Sequence, residues 1–380
     1  MKFFRLKYIL IISVTFILAC SSLRIRNFQS GGEADNNYLL TSQTAFNRNV
    51  ISIEEVKPPL KEDWDNDYIS LPNNGFTAVD NWLLFGTYNG YLAVADLDDG
   101  VLEGKKNLGD ACAVPPTINN TRIYQSFESG SNGLVAYDLS KGSVLWEIEG
   151  NLSRSSPIVS NDRVFFQTLK GNIFCYQTDT GEEIWKNSLQ RDIRNSAAIT
   201  DTTLISATLD GQIVAINTTN GEILWEHSLN LPVFADPVIN NNRVYILTHT
   251  GMLEIINLKN GDKIYRKPID IQIYYSPTID DRSIYIATSN GRLISLDKVS
   301  FRENWIFEGE GPISGPALVS NSYIYFSTLA KHLYILDKQN GELLQRIDIP
   351  GRARSTPIIK GGKLVIACEE KQVIAYVEDN

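Results

Sequence analysis

The run Gly211-Gln-Ile-Val-Ala-Ile-Asn217 returns forty residues later as Gly251-Met-Leu-Glu-Ile-Ile-Asn257, then as Gly291-Arg-Leu-Ile-Ser-Leu-Asp297. Forty residues earlier stands Gly171-Asn-Ile-Phe-Cys-Tyr-Gln177. The same ruler reaches back to Gly133 and Gly90 and forward to Lys331 and Lys371, where the apolar strand pattern continues without the glycine. That makes eight units, at a period typical of four-stranded propeller blades.

Each unit reads as four short strands. In one of them Ser156 to Val159 is a brief apolar strand, and Asn161-Asp162 turns it into Arg163 to Thr168. Lys170-Gly171 turns that into Asn172 to Gln177, and Thr180-Gly181 leads to Glu182 through Leu189, which carries Trp185. No window sustains a 3.6-residue periodicity, so almost no helix is expected.

Asp96, Asp138, Asn217, Asn257, Asp297 and Asp337 each stand four residues before Gly100, Gly142, Gly221, Gly261, Phe301 and Gly341. An Asx side chain closes such a turn on backbone N–H groups, and glycine accepts positive φ there. Phe301 breaks the pattern, so its turn is expected to differ. Beyond these turns come Trp146, Trp185, Trp225, Tyr265 and Trp305, with Gly104 and Gln345 at the same site in two units. A ring at one repeated position fits docking between adjacent blades. Pro157, Pro237, Pro277, Pro316 and Pro357 fall in the first strands, which places those strands at an edge, along a central channel.

From Trp185 or Trp225 it is 26 residues to the next unit's third-strand marker, and the same 26 residues separate Trp64 from Gly90. Lys61 to Asp67 therefore reads as a fourth strand without its first three, while the chain ends just after a third strand. The expectation is an all-β, eight-bladed β-propeller over residues 59–380, closed by an N-terminal strand, which leaves no open edge.

Residues 1–19 read as a signal peptide: Lys2, Arg5 and Lys7 precede a short apolar run too brief to span a bilayer. Ile17-Leu18-Ala19-Cys20 resembles a bacterial lipobox, which implies cleavage before Cys20 and its acylation. Removing residues 1–19 leaves 32 basic and 44 acidic residues. A surface so acidic, without a basic stripe, argues against nucleic acid. Residues 20–58 are rich in Asn, Ser and Gln and read as a lipidated cysteine followed by a flexible tether.

Ala215-Ile-Asn-Thr-Thr-Asn-Gly-Glu-Ile-Leu-Trp225 resembles the pyrroloquinoline-quinone-type propeller repeat, with its docking tryptophan. Within that group the chain is similar to the BamB family, lipoproteins that assist the outer-membrane β-barrel assembly machinery. The resemblance implies a non-enzymatic scaffold, held to the outer membrane by lipid, facing the periplasm and binding a barrel-assembly subunit. In that family the partner-binding residues lie in loops entering the first strands of neighbouring blades. Here those loops hold Leu189 to Arg194 and Leu231 to Asp236, so Arg191, Arg194 and Asp236 are the candidate partner-binding residues.

The repeat type also serves quinoprotein dehydrogenases, which makes a quinone-binding or redox propeller one alternative, and a surface-exposed ligand-binding lipoprotein another. A quinone site needs a calcium ion, a catalytic carboxylate and ring-sandwiching groups that converge. The run Asp96-Leu-Asp98-Asp99-Gly100 lacks a later Glu at EF-hand spacing and reads as a repeated turn. His249 and His332 read as loop residues, Cys175 and Cys368 as small core residues, and Cys112 is unassigned. No catalytic motif, metal site or cofactor is expected.

Overall fold

The computed structural model describes residues 23–25, 39–40, 43–44, 50–68, 70, 72, 75–353, 355–369 and 372–379. Their regular structure is all strand, with no α-helix among them. Eight four-stranded antiparallel sheets make eight blades. Blade 1 runs from Thr77 to Asn107, blade 2 from Thr117 to Glu149, blade 3 from Ile158 to Ser188, and blade 4 from Ala198 to Ser228. Blades 5, 6 and 7 cover Val238–Pro268, Thr278–Glu308 and Leu318–Asp348.

Blade 8 takes three strands from Ile358 to Glu378 and its fourth, Leu60–Asp67, from the other end of the chain. Leu60 pairs with Glu378, Trp64 with Ala375 and Asp67 with Gln372. Trp64 thus sits opposite Ala375 just as Trp225 sits opposite Ala215. The expected closure strand is in place.

Second and third strands are buried almost throughout, for example Val164 to Phe166 against Phe174 to Tyr176, because each is covered by a blade on both faces. Fourth strands alternate toward solvent, as in Ile223–Ser228. The prolines stand just ahead of the first strands rather than within them, and there their carbonyls accept hydrogen bonds from the neighbouring blade. Thr117 donates to the Pro157 carbonyl at 2.6 Å and Thr356 to that of Pro316 at 2.9 Å. A residue without an N–H loses nothing at such a strand start.

The Asx turns form as expected. Asn217 accepts from the Thr219 N–H at 2.7 Å and Asn257 from that of Lys259 at 2.8 Å. Gly221 and Gly261 take φ of 75° and 73°. The turn at Phe301 does not differ, contrary to expectation: Phe301 itself adopts φ 57°, and Asp297 caps the Ser300 N–H at 2.6 Å. The compensation lies in the preceding blade, where Tyr265 replaces tryptophan and stacks on the Phe301 ring with centroids 4.0 Å apart.

Docking between blades uses one geometry. The indole N–H of Trp64 donates to the Leu97 carbonyl (3.0 Å), that of Trp146 to Thr178 (2.9 Å), that of Trp185 to Thr218 (3.0 Å) and that of Trp225 to Leu258 (2.9 Å). Each ring lies flat over the next blade's turn glycine. A Cβ on Gly221 would come within 2.6 Å of Trp185, and one on Gly341 within 2.5 Å of Trp305. At the blade 7–blade 8 seam Gln345 substitutes: its amide accepts from the Leu60 N–H (2.7 Å) and donates to the Leu60 carbonyl (2.9 Å).

Two stretches of the segment read as a tether lie on the ring instead. Leu23 and Ile25 are buried beside blades 1 and 2, and Val50 and Val56 beside blades 7 and 8. Their apolar side chains find seams that the periodic pattern leaves incomplete. Cys20 and the signal-peptide reading of residues 1–19 lie outside the described residues, as does Lys371.

Candidate functional site: a groove over the linkers of blades 3 to 5

Each blade ends in a linker that crosses to the next blade's first strand, over the turn between second and third strands. The repeated glycine exists for that crossing. A Cβ on Gly171 would lie 2.2 Å from the Arg191 carbonyl oxygen, and one on Gly211 would lie 2.3 Å from that of Leu231. The linkers are laced to these turns by backbone bonds. Leu189 N–H donates to Gly171 (2.9 Å), Leu209 N–H to Asp192 (2.7 Å), and His249 N–H to Pro232 (2.7 Å). Loops anchored this way hold their side chains in fixed positions.

Between two such linkers runs an open groove of about 790 Å³, lined by Leu189, Arg191, Asp192, Asp210, Phe234 and His249 among others. One half is charged. Arg191 pairs with Asp210, and Arg194 approaches Asp192 at 3.4 Å. The Thr208 hydroxyl at 2.5 Å, seconded by the Arg191 guanidinium, holds the Asp210 carboxyl below its usual range. The other half is aromatic. Phe234 meets His249 edge to face at 5.1 Å, and His249 meets Tyr274 at 4.7 Å. Phe234 and Tyr274 remain 38 % and 45 % exposed, so this shelf has room for a partner.

The three residues expected to bind a partner separate here. Arg191 lines the groove. Arg194 borders it through Asp192. Asp236 is half-buried, and its carboxylate accepts from the Ser196 N–H at 2.7 Å, tying one linker to the next. Phe234 and Tyr274 escaped the sequence reading. They stand forty residues apart, at the linker position that Arg154 and Arg194 occupy in earlier blades, and that register was the signal available.

The groove offers no nucleophile paired with a base. Among the described residues no group of three or more His, Cys, Asp or Glu side chains converges as metal ligands would. Cys112, Cys175 and Cys368 are thiols that lie apart from one another and buried, Cys112 packing with blades 1 and 2. Burial pushes the Cys112 and Cys175 thiols up to about 12 and that of Cys368 up to about 11, which leaves them unreactive. His332 sits between Asp348 (2.9 Å) and Glu310 (3.3 Å), in a surface ion-pair cluster with Arg346.

The sequence pattern of the family described as outer membrane protein assembly factor BamB matches residues 89–307 and 302–380. A protein of Shewanella oneidensis bearing that name is 34 % identical over 86 residues, a match spanning 22 % of this chain and 21 % of the relative. Among solved structures, BamB from Moraxella catarrhalis superposes with a TM-score of 0.70 at 15 % identity, covering 84 % of this chain and 99 % of that one. The quinohemoprotein alcohol dehydrogenase of Comamonas testosteroni gives 0.71 at 11 % identity, covering 84 % and 77 %. Likeness at such identities speaks for the fold alone.

Proposed function

The chain belongs to the outer membrane protein assembly factor BamB family, and from that premise we propose that it is a non-enzymatic scaffold for outer-membrane β-barrel assembly. It is acylated at Cys20, held to the outer membrane on its periplasmic side, and it grips a protein subunit through the groove over blades 3 to 5. The observation that carries this reading is the groove's construction. Linkers and the turns they are laced to present Arg191 and Asp210 beside the exposed rings of Phe234 and Tyr274. Aromatic and arginine anchors with a charged rim are what protein interfaces use. Arg194 contributes rim charge, and Asp236 acts from behind by fixing the Ser196 linker.

The test is affinity purification of the full-length protein from mildly cross-linked membranes, with partners identified by mass spectrometry. A barrel-assembly subunit should be recovered with the parent protein and lost with Arg191→Ala plus Phe234→Ala. Recovery of electron-transfer proteins in its place, or of nothing reproducible, would sink the scaffold reading. The redox alternative has only the shared fold behind it. Titration with pyrroloquinoline quinone and calcium, followed by tryptophan fluorescence, should show no saturable change.

A further inference from the structure

Blade 1 carries Gly104 where six other blades place a docking ring, and the gap is filled from elsewhere in the chain. The Cβ position of Gly104 lies 2.8 Å from Leu23 Cδ1, so the leucine sits flush against the strand. Leu23 is only 4 % exposed. In four other seams an indole N–H donates to the carbonyl one residue past the third strand. The matching carbonyl in blade 2 is that of Leu139, and the Ile25 backbone N–H donates to it at 3.1 Å. Tyr137 adds a bond from its hydroxyl to the Leu23 carbonyl at 2.7 Å, and Arg24 Nε one to the Ser140 carbonyl at 2.8 Å. Residues 23–25 therefore supply both the apolar filling and the hydrogen bond of the missing tryptophan.

The second seated stretch uses the same end of the ring. Ser52 N–H donates to Val319 (2.8 Å), Val56 N–H to the Tyr325 hydroxyl (3.1 Å), and the Gly362 N–H to Glu54 (3.2 Å). All these contacts lie at the end that holds the turns between first and second strands and between third and fourth. The groove lies at the opposite end, among linkers and second-to-third-strand turns.

We infer that the seam between blades 1 and 2 is the protein's membrane-apposed side: the end bearing residues 23–25 faces the lipid surface and the groove faces away. This rests on the proposed acylation of Cys20. Leu23 is three positions after Cys20, so a lipid there is attached within about 10–11 Å of the seam, the reach of an extended chain over three steps. A tether running freely to residue 57 would allow any orientation. Ile53 and Val299, 92 % and 83 % exposed, stand at this same end and are apolar side chains that a bilayer would cover.

The experiment uses the full acylated protein in phosphatidylethanolamine–phosphatidylglycerol vesicles containing a spin-labelled lipid. A fluorophore is placed through Lys141→Cys, in a turn beside the seam, or through Lys170→Cys, in a groove-end turn. Quenching should be severalfold stronger at position 141 than at 170. Adding Leu23→Gly and Ile25→Gly should bring the two values together. Equal quenching at both positions in the otherwise unaltered protein, with the protein still floating with the vesicles, would overturn the orientation and leave the lipid anchor standing. Failure to float, with no acyl mass on Cys20, would overturn the anchor reading and the orientation with it.

Discussion

Tyr265 lies stacked on Phe301, ring centroids 4.0 Å apart and planes inclined by 20°, at the seam where the docking residue and the turn residue both bring a ring. At five other seams an indole lies over a glycine. Here the turn residue brings its own ring despite a φ of 57°, which disfavours any side chain. The Lys267 ammonium adds a bond to the Phe301 carbonyl at 3.1 Å. The two departures balance each other.

That balance predicts a coupling. Tyr265→Trp should push a larger ring into Phe301 and destabilise, and Phe301→Gly should strip the tyrosine of its stacking partner. The double variant recreates the indole-on-glycine arrangement and should recover most of the loss. A double-mutant cycle in urea should give a coupling of about 1–3 kcal/mol. Additive losses would show that the two rings act independently.

At an ordinary seam the same geometry predicts asymmetric costs. Trp185→Ala should cost about 3–5 kcal/mol, as truncation of a buried ring does. Gly221→Ala adds a single methyl, but at φ 75° and within 2.6 Å of the Trp185 ring, so about 1–3 kcal/mol should be lost. Chemical denaturation measures both, and a neutral Gly221→Ala would contradict the docking described.

The two segments ahead of blade 1 carry unequal loads. Removing residues 60–67 takes the fourth strand from blade 8 and its Trp64 from blade 1, and cooperative melting should be lost. Removing residues 22–55 takes away Leu23, Ile25 and Val50, so a drop of several degrees in melting temperature is expected with cooperativity retained. Calorimetry of both truncations decides it; equal melting would refute the closing role of Leu60–Asp67.

The buried thiols set an alkaline limit. Burial raises all three from 9.0, to about 12 for Cys112 and Cys175 and about 11 for Cys368. A raised folded value favours the protonated form, so this contribution is complete below pH 9 and declines as pH climbs from 9 toward 11–12. Each thiol contributes at most about 1.4 kcal/mol of decline per pH unit. Melting temperature should fall more steeply above pH 9 in the parent than in a Cys112→Ala, Cys175→Ala, Cys368→Ala variant, and native thiols should resist alkylation at pH 8.

What could be read from the sequence was whatever repeats. Blades, Asx turns, docking rings and the stray strand around Trp64 all follow the forty-residue ruler, because each unit must present the same face to its neighbour. Gly104 and Gln345 were visible as exceptions, but their partners, Leu23 and the Leu60 backbone, stand outside the period and meet them only in the closed ring. The linkers were legible as candidate loops, and Arg191 as a candidate partner-binding residue in one of them, but not the groove it lines. The brace that Asp236 gives the Ser196 N–H was not legible, because a carboxylate that holds a backbone N–H and one that meets a partner look alike in sequence. Phe234 and Tyr274 were hidden for a related reason: an aromatic residue in a linker is exposed or buried according to what the adjacent turn leaves open.

The pairing of Leu60–Asp67 with Gln372–Glu378 also orders events in time. Synthesis from the N-terminus delivers the closing strand well before its partner, with about 300 residues between them. Seven blades can assemble while that strand waits unpaired, its ladder groups available to any other β-edge nearby. Closing so long a loop is entropically costly, and contacts this far apart in sequence are slow to form. The ring therefore depends on Gln372–Glu378 to seal what Leu60–Asp67 begins, and loss of that strand would leave seven blades formed and the circle open.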